Sequence, residues 1–222
     1  MGNFTAFGVR LAAYMVVSLF IGLALREFAR ARAAASLGDP TPRLWGRVSL
    51  QPKVWFEPFG SGFLPALEAL LWTVQAFVMP AAYAKPAPID TNYFKRHPRD
   101  VILASLAGPI ASLALAVVAG LVVRAGVRGE VGLALTTFAY TNASLLVFHL
   151  LPIPGLDGGR LLALLLPPQA REVYRNADRY LPLIVLVVVF VFTFLLSLAS
   201  LITGAICDAI TGVGCSDLFG LL

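Results

Sequence analysis

Four uninterrupted apolar runs constrain this chain more than any other feature. Residues 6–25 carry a single charge, Arg10, while 101–123, 131–156 and 181–206 carry none. Each is long enough to cross the hydrocarbon of a bilayer, which takes about 20 residues of helix. A fifth stretch, 58–84, is equally long but holds Gly60, Gly62, Pro65, Glu68, Gln75 and Pro80. Those residues do not suit one straight lipid-facing helix. Composition agrees: 59% of the 222 residues are hydrophobic and only 13% charged, about half the charged share of a soluble domain. Soluble enzymes and disordered tails are excluded. So are nucleic-acid binders, because the +5 net charge sits between apolar runs instead of forming a basic face.

Loop charge orders the spans. If 58–84 crosses the membrane, the 17 basic residues divide 8 to 9, with no bias. If it dips in and returns, 14 fall on one side and only Arg10, Arg124 and Arg128 on the other. The excess of Lys and Arg in cytoplasmic loops favours the second arrangement. The sequence thus predicts one all-α polytopic membrane domain over 1–222, with four spans at 6–25, 101–123, 131–156 and 181–206. A re-entrant segment covers 58–84, cytoplasmic loops cover 26–57, 84–100 and 157–180, and both termini lie outside the cytoplasm. That places Cys207 and Cys215 on the side where disulfides persist; a bridge between them is one reading and two free thiols in an apolar tail the other. Trp45, Trp55, Trp72, Tyr83 and Tyr93 are expected to form an interfacial aromatic belt. The first run has neither a charged leader nor a small-residue cleavage site of the secretory type.

Two stretches carry the candidate chemistry: Leu25-Arg26-Glu27-Phe28-Ala29-Arg30, and Leu151-Pro152-Ile153-Pro154-Gly155-Leu156-Asp157-Gly158-Gly159-Arg160. They resemble the active-site motifs of the site-2 protease family of intramembrane zinc metalloproteases. The resemblance continues through Leu37-Gly38-Asp39-Pro40, Gly46-Arg47-Val48-Ser49-Leu50-Gln51-Pro52, Pro58-Phe59-Gly60, Lys85-Pro86-Ala87-Pro88 and Ala107-Gly108-Pro109, covering roughly residues 10–175. It implies a site-2-protease-like core with a short β-hairpin-like loop. It also implies a zinc site in which two histidines one helical turn apart and one aspartate hold the metal. The glutamate between the histidines is then general base on the metal's water. Glu27 matches that base and Asp157 the third ligand.

The departures fall on the metal positions themselves. Both histidine positions are arginine, Arg26 and Arg30, and a guanidinium has no lone pair to offer and stays protonated. The family's asparagine after Ala-Gly-Pro is Ser112 here, and its asparagine before the Leu-Pro-x-Pro turn is His149. The resemblance therefore implies a pseudoprotease: no active catalytic residue, no metal and no cofactor. Arg26 and Arg30 are expected to pair with Asp157 and Glu27, replacing ligation by ion pairs; snorkelling of the arginines to headgroups is the alternative. His149 is expected to be a core hydrogen-bonder and His97 a solvated loop residue. The function expected is a scaffold or accessory subunit in the bilayer that binds other integral membrane proteins in a hetero-complex. The alternative is an active intramembrane metalloprotease with an atypical zinc site. A third reading, a small transporter using Arg26, Arg30, Glu27 and Asp157 as an ion path, lacks the paired broken helices of such proteins. High Ala, Arg, Leu and Pro usage points to a bacterial cell membrane.

Overall fold

The computed structural model describes residues 6–215 except 75, 77 and 192. Among the described residues, three helices are long and apolar enough to span a bilayer: α1 (Ala6–Ser36), α5 (Arg99–Arg124) and α6 (Gly129–Leu150). Between the first two lie short helices α2 (Thr41–Leu44) and α3 (Pro52–Trp55), a π-helical turn Pro58–Phe63, and α4 (Leu64–Thr73). After them come α7 (Asp157–Leu165), α8 (Pro168–Asn176), α9 (Leu181–Val191) and α10 (Thr193–Thr211).

α1, α5 and α6 pack on one another, α4 leans on α1, and α10 lies across α5 and α6. The seam is a cluster of Leu11, Met15, Leu19 and Leu23 of α1 with Tyr140 and Leu145 of α6 and Trp55 and Trp72. The α1 leucines and Met15 recur every four residues, so one face of the helix points inward. The outer faces carry exposed Ile110, Val118 and Leu121 on α5 and Val17 and Ile21 on α1. Apolar side chains displayed on long apolar helices meet lipid, so the chain is an integral membrane protein.

Several sequence expectations shift. The first helix does not stop at Leu25 but runs 31 residues, about 46 Å at 1.5 Å per residue. Hydropathy ends a span where charge begins, whereas here Arg26, Glu27 and Arg30 are buried within the helix. At the other long helices the limits move to 99–124 and 129–150. α6 ends early because Pro152 and Pro154 cannot continue it and disfavour helix in the residues before them. Over the predicted 181–206 span the described residues are helical on both sides of residue 192, as α9 and α10.

Among the described residues there is no strand, so the β-hairpin-like loop is not found. Pro42 and Pro52 each sit in the first turn of a four-residue helix, a position proline favours, and proline has no N–H for a ladder. Arg47 holds this loop instead, donating to the carbonyls of Val54 and Lys85. Partial burial lowers its pKa from the ordinary guanidinium value.

The 58–84 segment runs through the π-turn and α4, and residues 78–84, which form no helix or strand, bring the chain back beside its start. Tyr83 N–H donates to Gly60 O at 3.2 Å and Lys85 N–H to Trp55 O at 2.8 Å, so its two ends lie side by side. Within it, Glu68 of α4 accepts from Ala81 N–H at 2.7 Å, stitching the outward helix to the returning chain. The aromatic belt is only partly realised. Trp45 and Tyr93 are exposed, but Trp55, Trp72 and Tyr83 are core residues. The indole N–H groups of Trp55 and Trp72 are satisfied by the carbonyls of Leu50 and Val78, which removes the need for interfacial water. Cys207 and Cys215 are joined by a disulfide, their Cα atoms 6.0 Å apart.

Candidate functional site: a buried arginine–carboxylate cluster

Three elements meet at the centre of the site. α1 presents Arg26, Glu27 and Arg30; i, i+3 and i, i+4 positions lie on one helix face. α7 begins at Asp157, placing its carboxylate in the first turn, where the helix dipole favours a negative charge. α5 contributes Gly108.

The turn that delivers Asp157 is tightly built. Leu151 N–H returns to Phe148 O at 3.2 Å and Leu156 N–H to Ile153 O at 3.1 Å. A Cβ on Gly158 would run into Leu150 O, and one on Gly159 into Ile153 O. Only glycine lets α7 start directly against the end of α6. Tyr174 of α8 donates to Pro152 O at 2.8 Å. Burial, reinforced by Asp178, raises that phenol's pKa and keeps it a neutral donor.

Asp157 and Arg26 are both 0% exposed, and Arg30, Glu27 and His149 are buried as well. Arg26 Nη2 pairs with Asp157 Oδ2. Arg30 Nη1 reaches Asp157 Oδ1 at 3.1 Å, and Arg30 Nη2 holds Glu27 Oε2 at 2.5 Å. Each carboxylate oxygen of Asp157 is therefore taken by a different arginine. Arg160 Nη1 approaches the same Oδ1 only to 3.6 Å. Arg26 Nη1 also donates to Leu145 O at 3.4 Å, a carbonyl shared with His149 Nδ1 at 3.0 Å. A carbonyl can only accept, so the proton of a neutral His149 is on Nδ1.

Gly108 is the floor. A Cβ there would stand 3.1 Å from Arg26 Nη2 and 3.3 Å from Asp157 Oδ2. Ser112, one turn further along α5, is fully buried and its hydroxyl has no hydrogen-bond partner among the described residues. His97 is exposed in the loop before α5. Sequence reasoning missed Gly108 and Arg160 as members of the cluster. The signal was present in the motifs Ala-Gly-Pro and Asp-Gly-Gly-Arg, but which atoms they face depends on packing between distant helices.

The fold and site together define a class: a membrane-embedded helical core in which the first long helix and an Asp-Gly-Gly turn bring an acidic and a basic group into one buried centre. Curated bacterial proteins are similar to it in sequence. The chain is 29% identical over 201 residues, 86% of either chain, to "Putative zinc metalloprotease YwhC" of Bacillus subtilis. It is 30% identical over 176 residues to "Putative zinc metalloprotease Rip2" of Mycolicibacterium smegmatis, covering 78% of this chain and 65% of that one. Against the protein of the same name from Mycobacterium tuberculosis it is 29% identical over 179 residues, covering 79% and 66%. The chain is homologous to these bacterial proteins. No family model matches it, and no solved structure does.

Zinc, which those names imply, does not fit the groups present here. A zinc ligand must offer a lone pair, and the two side chains flanking Glu27 on the site face are guanidinium groups. Both Asp157 oxygens already accept from them. Among the described residues no three His, Cys, Asp or Glu side chains gather in metal-binding reach.

Proposed function

We propose that this chain is a catalytically inactive relative of the zinc metalloproteases, an integral membrane scaffold or accessory subunit that binds other membrane proteins. One observation carries the reading: Arg26 and Arg30 grip Asp157 from both sides in a fully buried centre. Two fixed positive charges stand against the carboxylates that would otherwise face a dication, so Glu27 and Asp157 have counter-charges without a metal. What persists is a fold whose relatives carry names of proteases. A membrane-embedded frame that has lost its reaction retains its capacity to hold a transmembrane partner.

The orientation proposed places the 26–57, 84–100 and 157–180 loops in the cytoplasm and both termini outside, in a bacterial cell membrane. Support comes from the 14-to-3 charge asymmetry, from the side-by-side ends of the 58–84 segment, and from the Cys207–Cys215 bridge, which suits an oxidising exterior.

A second reading, an active protease with an atypical site, is favoured by the retention of Glu27 at the general-base position. Metal content separates the two. Protein purified in mild detergent without a histidine tag is expected to hold essentially no zinc, before or after metal is added. One tightly bound zinc per chain would overturn the proposal. For the scaffold role, native-membrane purification is expected to bring down a second integral membrane protein in fixed stoichiometry. A chain that runs alone at every detergent condition would refute it.

A further inference from the structure

A cavity of about 390 Å³ lies between the 86–89 segment, α5, α7 and α8. Its size falls in the range of small-molecule sites. Pro88, Ile89, Phe94, Val101 and Leu164 give it apolar walls, and its inner end is Ser105 and Gly159, both buried. The mouth is at His97 and Asp178, both exposed. The cavity thus runs from the loop surface to the edge of the arginine–carboxylate cluster.

The polar groups along it are not equivalent. Arg171 is spent on the carbonyls of Ala163, Leu164 and Leu166 at the end of α7, and Tyr174 is spent on Pro152. Arg160 differs. Asp157, its neighbour one turn away, has already given Oδ2 to Arg26 and Oδ1 to Arg30. Arg160 is left at 3.6 Å, beyond hydrogen-bonding distance, and its buried Nη1 has no hydrogen-bond partner. None of its guanidinium nitrogens donates a hydrogen bond among the described residues, and 25% of its side chain is accessible in the cavity wall. The cluster of Arg26, Arg30 and Arg160 against Glu27 and Asp157 carries one excess positive charge. Asp178, which lines the same cavity, acts on Arg160 and offsets part of that charge, but it supplies none of the hydrogen bonds that the guanidinium lacks.

We propose that this cavity binds an amphipathic anion, its carboxylate or phosphate oxygens on the Arg160 guanidinium and its apolar body against the Ile89–Phe94–Leu164 wall. A planar guanidinium with free donors is the side chain best matched to such an oxyanion. The partly apolar walls select against a bare inorganic ion. The same chemistry is offered by a single-chain amphiphile from solution and by the headgroup end of an anionic lipid. The inference does not rest on the scaffold reading, since it needs only Arg160 and the cavity.

The test is thermal unfolding and binding calorimetry of the full chain in dodecyl maltoside, a neutral detergent. Dodecyl phosphate is expected to raise Tm in a saturable way, and inorganic phosphate at the same concentration to leave it unchanged. Arg160→Gln should weaken dodecyl phosphate binding about 10- to 100-fold, the loss of one charge-assisted contact. Because Arg160 also touches the ion cluster, a second variant leaves the charge alone. Ala163→Leu fills the cavity from the α7 wall and should abolish binding while the unliganded chain still folds. Phosphatidylglycerol acting as strongly as dodecyl phosphate would identify a lipid as the source; dodecyl phosphate acting alone would identify a soluble amphiphile. If neither amphiphile shifts Tm, or both variants bind like the wild type, the proposal is wrong.

Discussion

Replacing Asp157 by alanine removes the carboxylate that two buried guanidinium groups share. In the intact cluster three arginines face two carboxylates; in Asp157→Ala three face Glu27 alone. Arg26 keeps only its long 3.4 Å bond to Leu145 O, in a position with 0% exposure. Leaving a buried charge without its partner costs about 3–5 kcal/mol. The looser Arg160 contact at 3.6 Å, partly accessible, adds little to that. For a chain of this length about 1 kcal/mol moves Tm by roughly 2–4 °C, so the midpoint should fall by about 6–20 °C. Asp157→Asn should fall in between, since one amide oxygen can still accept from one arginine. The double variant Arg26→Leu with Asp157→Leu should be more stable than Asp157→Ala, because it removes the orphaned charge together with its partner. The assay is thermal unfolding in mild detergent, followed by tryptophan fluorescence. A drop smaller than about 2 °C for Asp157→Ala, or a double variant no better than the single one, would refute the claim that this pair holds the core.

Gly108→Ala puts a methyl 3.1 Å from Arg26 Nη2 and should cost about 1–3 kcal/mol as overpacking; an unchanged Tm would mean the floor of the cluster is roomier than described. Glu68→Ala removes the acceptor of Ala81 N–H, leaving a buried donor unsatisfied at about 1–3 kcal/mol, whereas Glu68→Gln keeps an amide oxygen there and should lie closer to wild type. Equal stability of the alanine variant and the wild type in the same melt would show that the stitch contributes nothing. Non-reduced protein from membranes should take up no maleimide at Cys207 or Cys215, and two per chain after reduction and unfolding; labelling without reductant would contradict the bridge.

The three long apolar helices were legible because a bilayer imposes a long apolar run that any window detects. The ends of the helices were not. Charge in a local window reads as loop, and α1 runs on past Leu25 because the partner of Arg26 and Arg30 lies at Asp157, well over a hundred residues away in the sequence. Trp55 and Trp72 read as interfacial from residue type alone; they are core because the carbonyls of Leu50 and Val78 satisfy them, a fact of chain geometry. The hairpin-like loop came from resemblance, while Pro42 and Pro52, visible in the sequence, already argued for helix starts. At the site, residue chemistry was readable and geometry was not. That Arg26 and Arg30 cannot ligate follows from their guanidinium groups; that they divide Asp157 oxygen by oxygen, leaving Arg160 with donors to spare, needed the structure.

That division has a consequence for how such a chain can change over generations. Substituting histidine for Arg26 alone strips Oδ2 of its donor while Arg30 still occupies Oδ1, and substituting it for Arg30 alone does the reverse. Either single step weakens the core, and neither supplies two imidazoles, so no gain in chemistry offsets the loss. Only the simultaneous double change would reopen a lone-pair-rich centre. The shared aspartate therefore couples the two positions: neither arginine can be exchanged alone without leaving one oxygen of Asp157 without its donor.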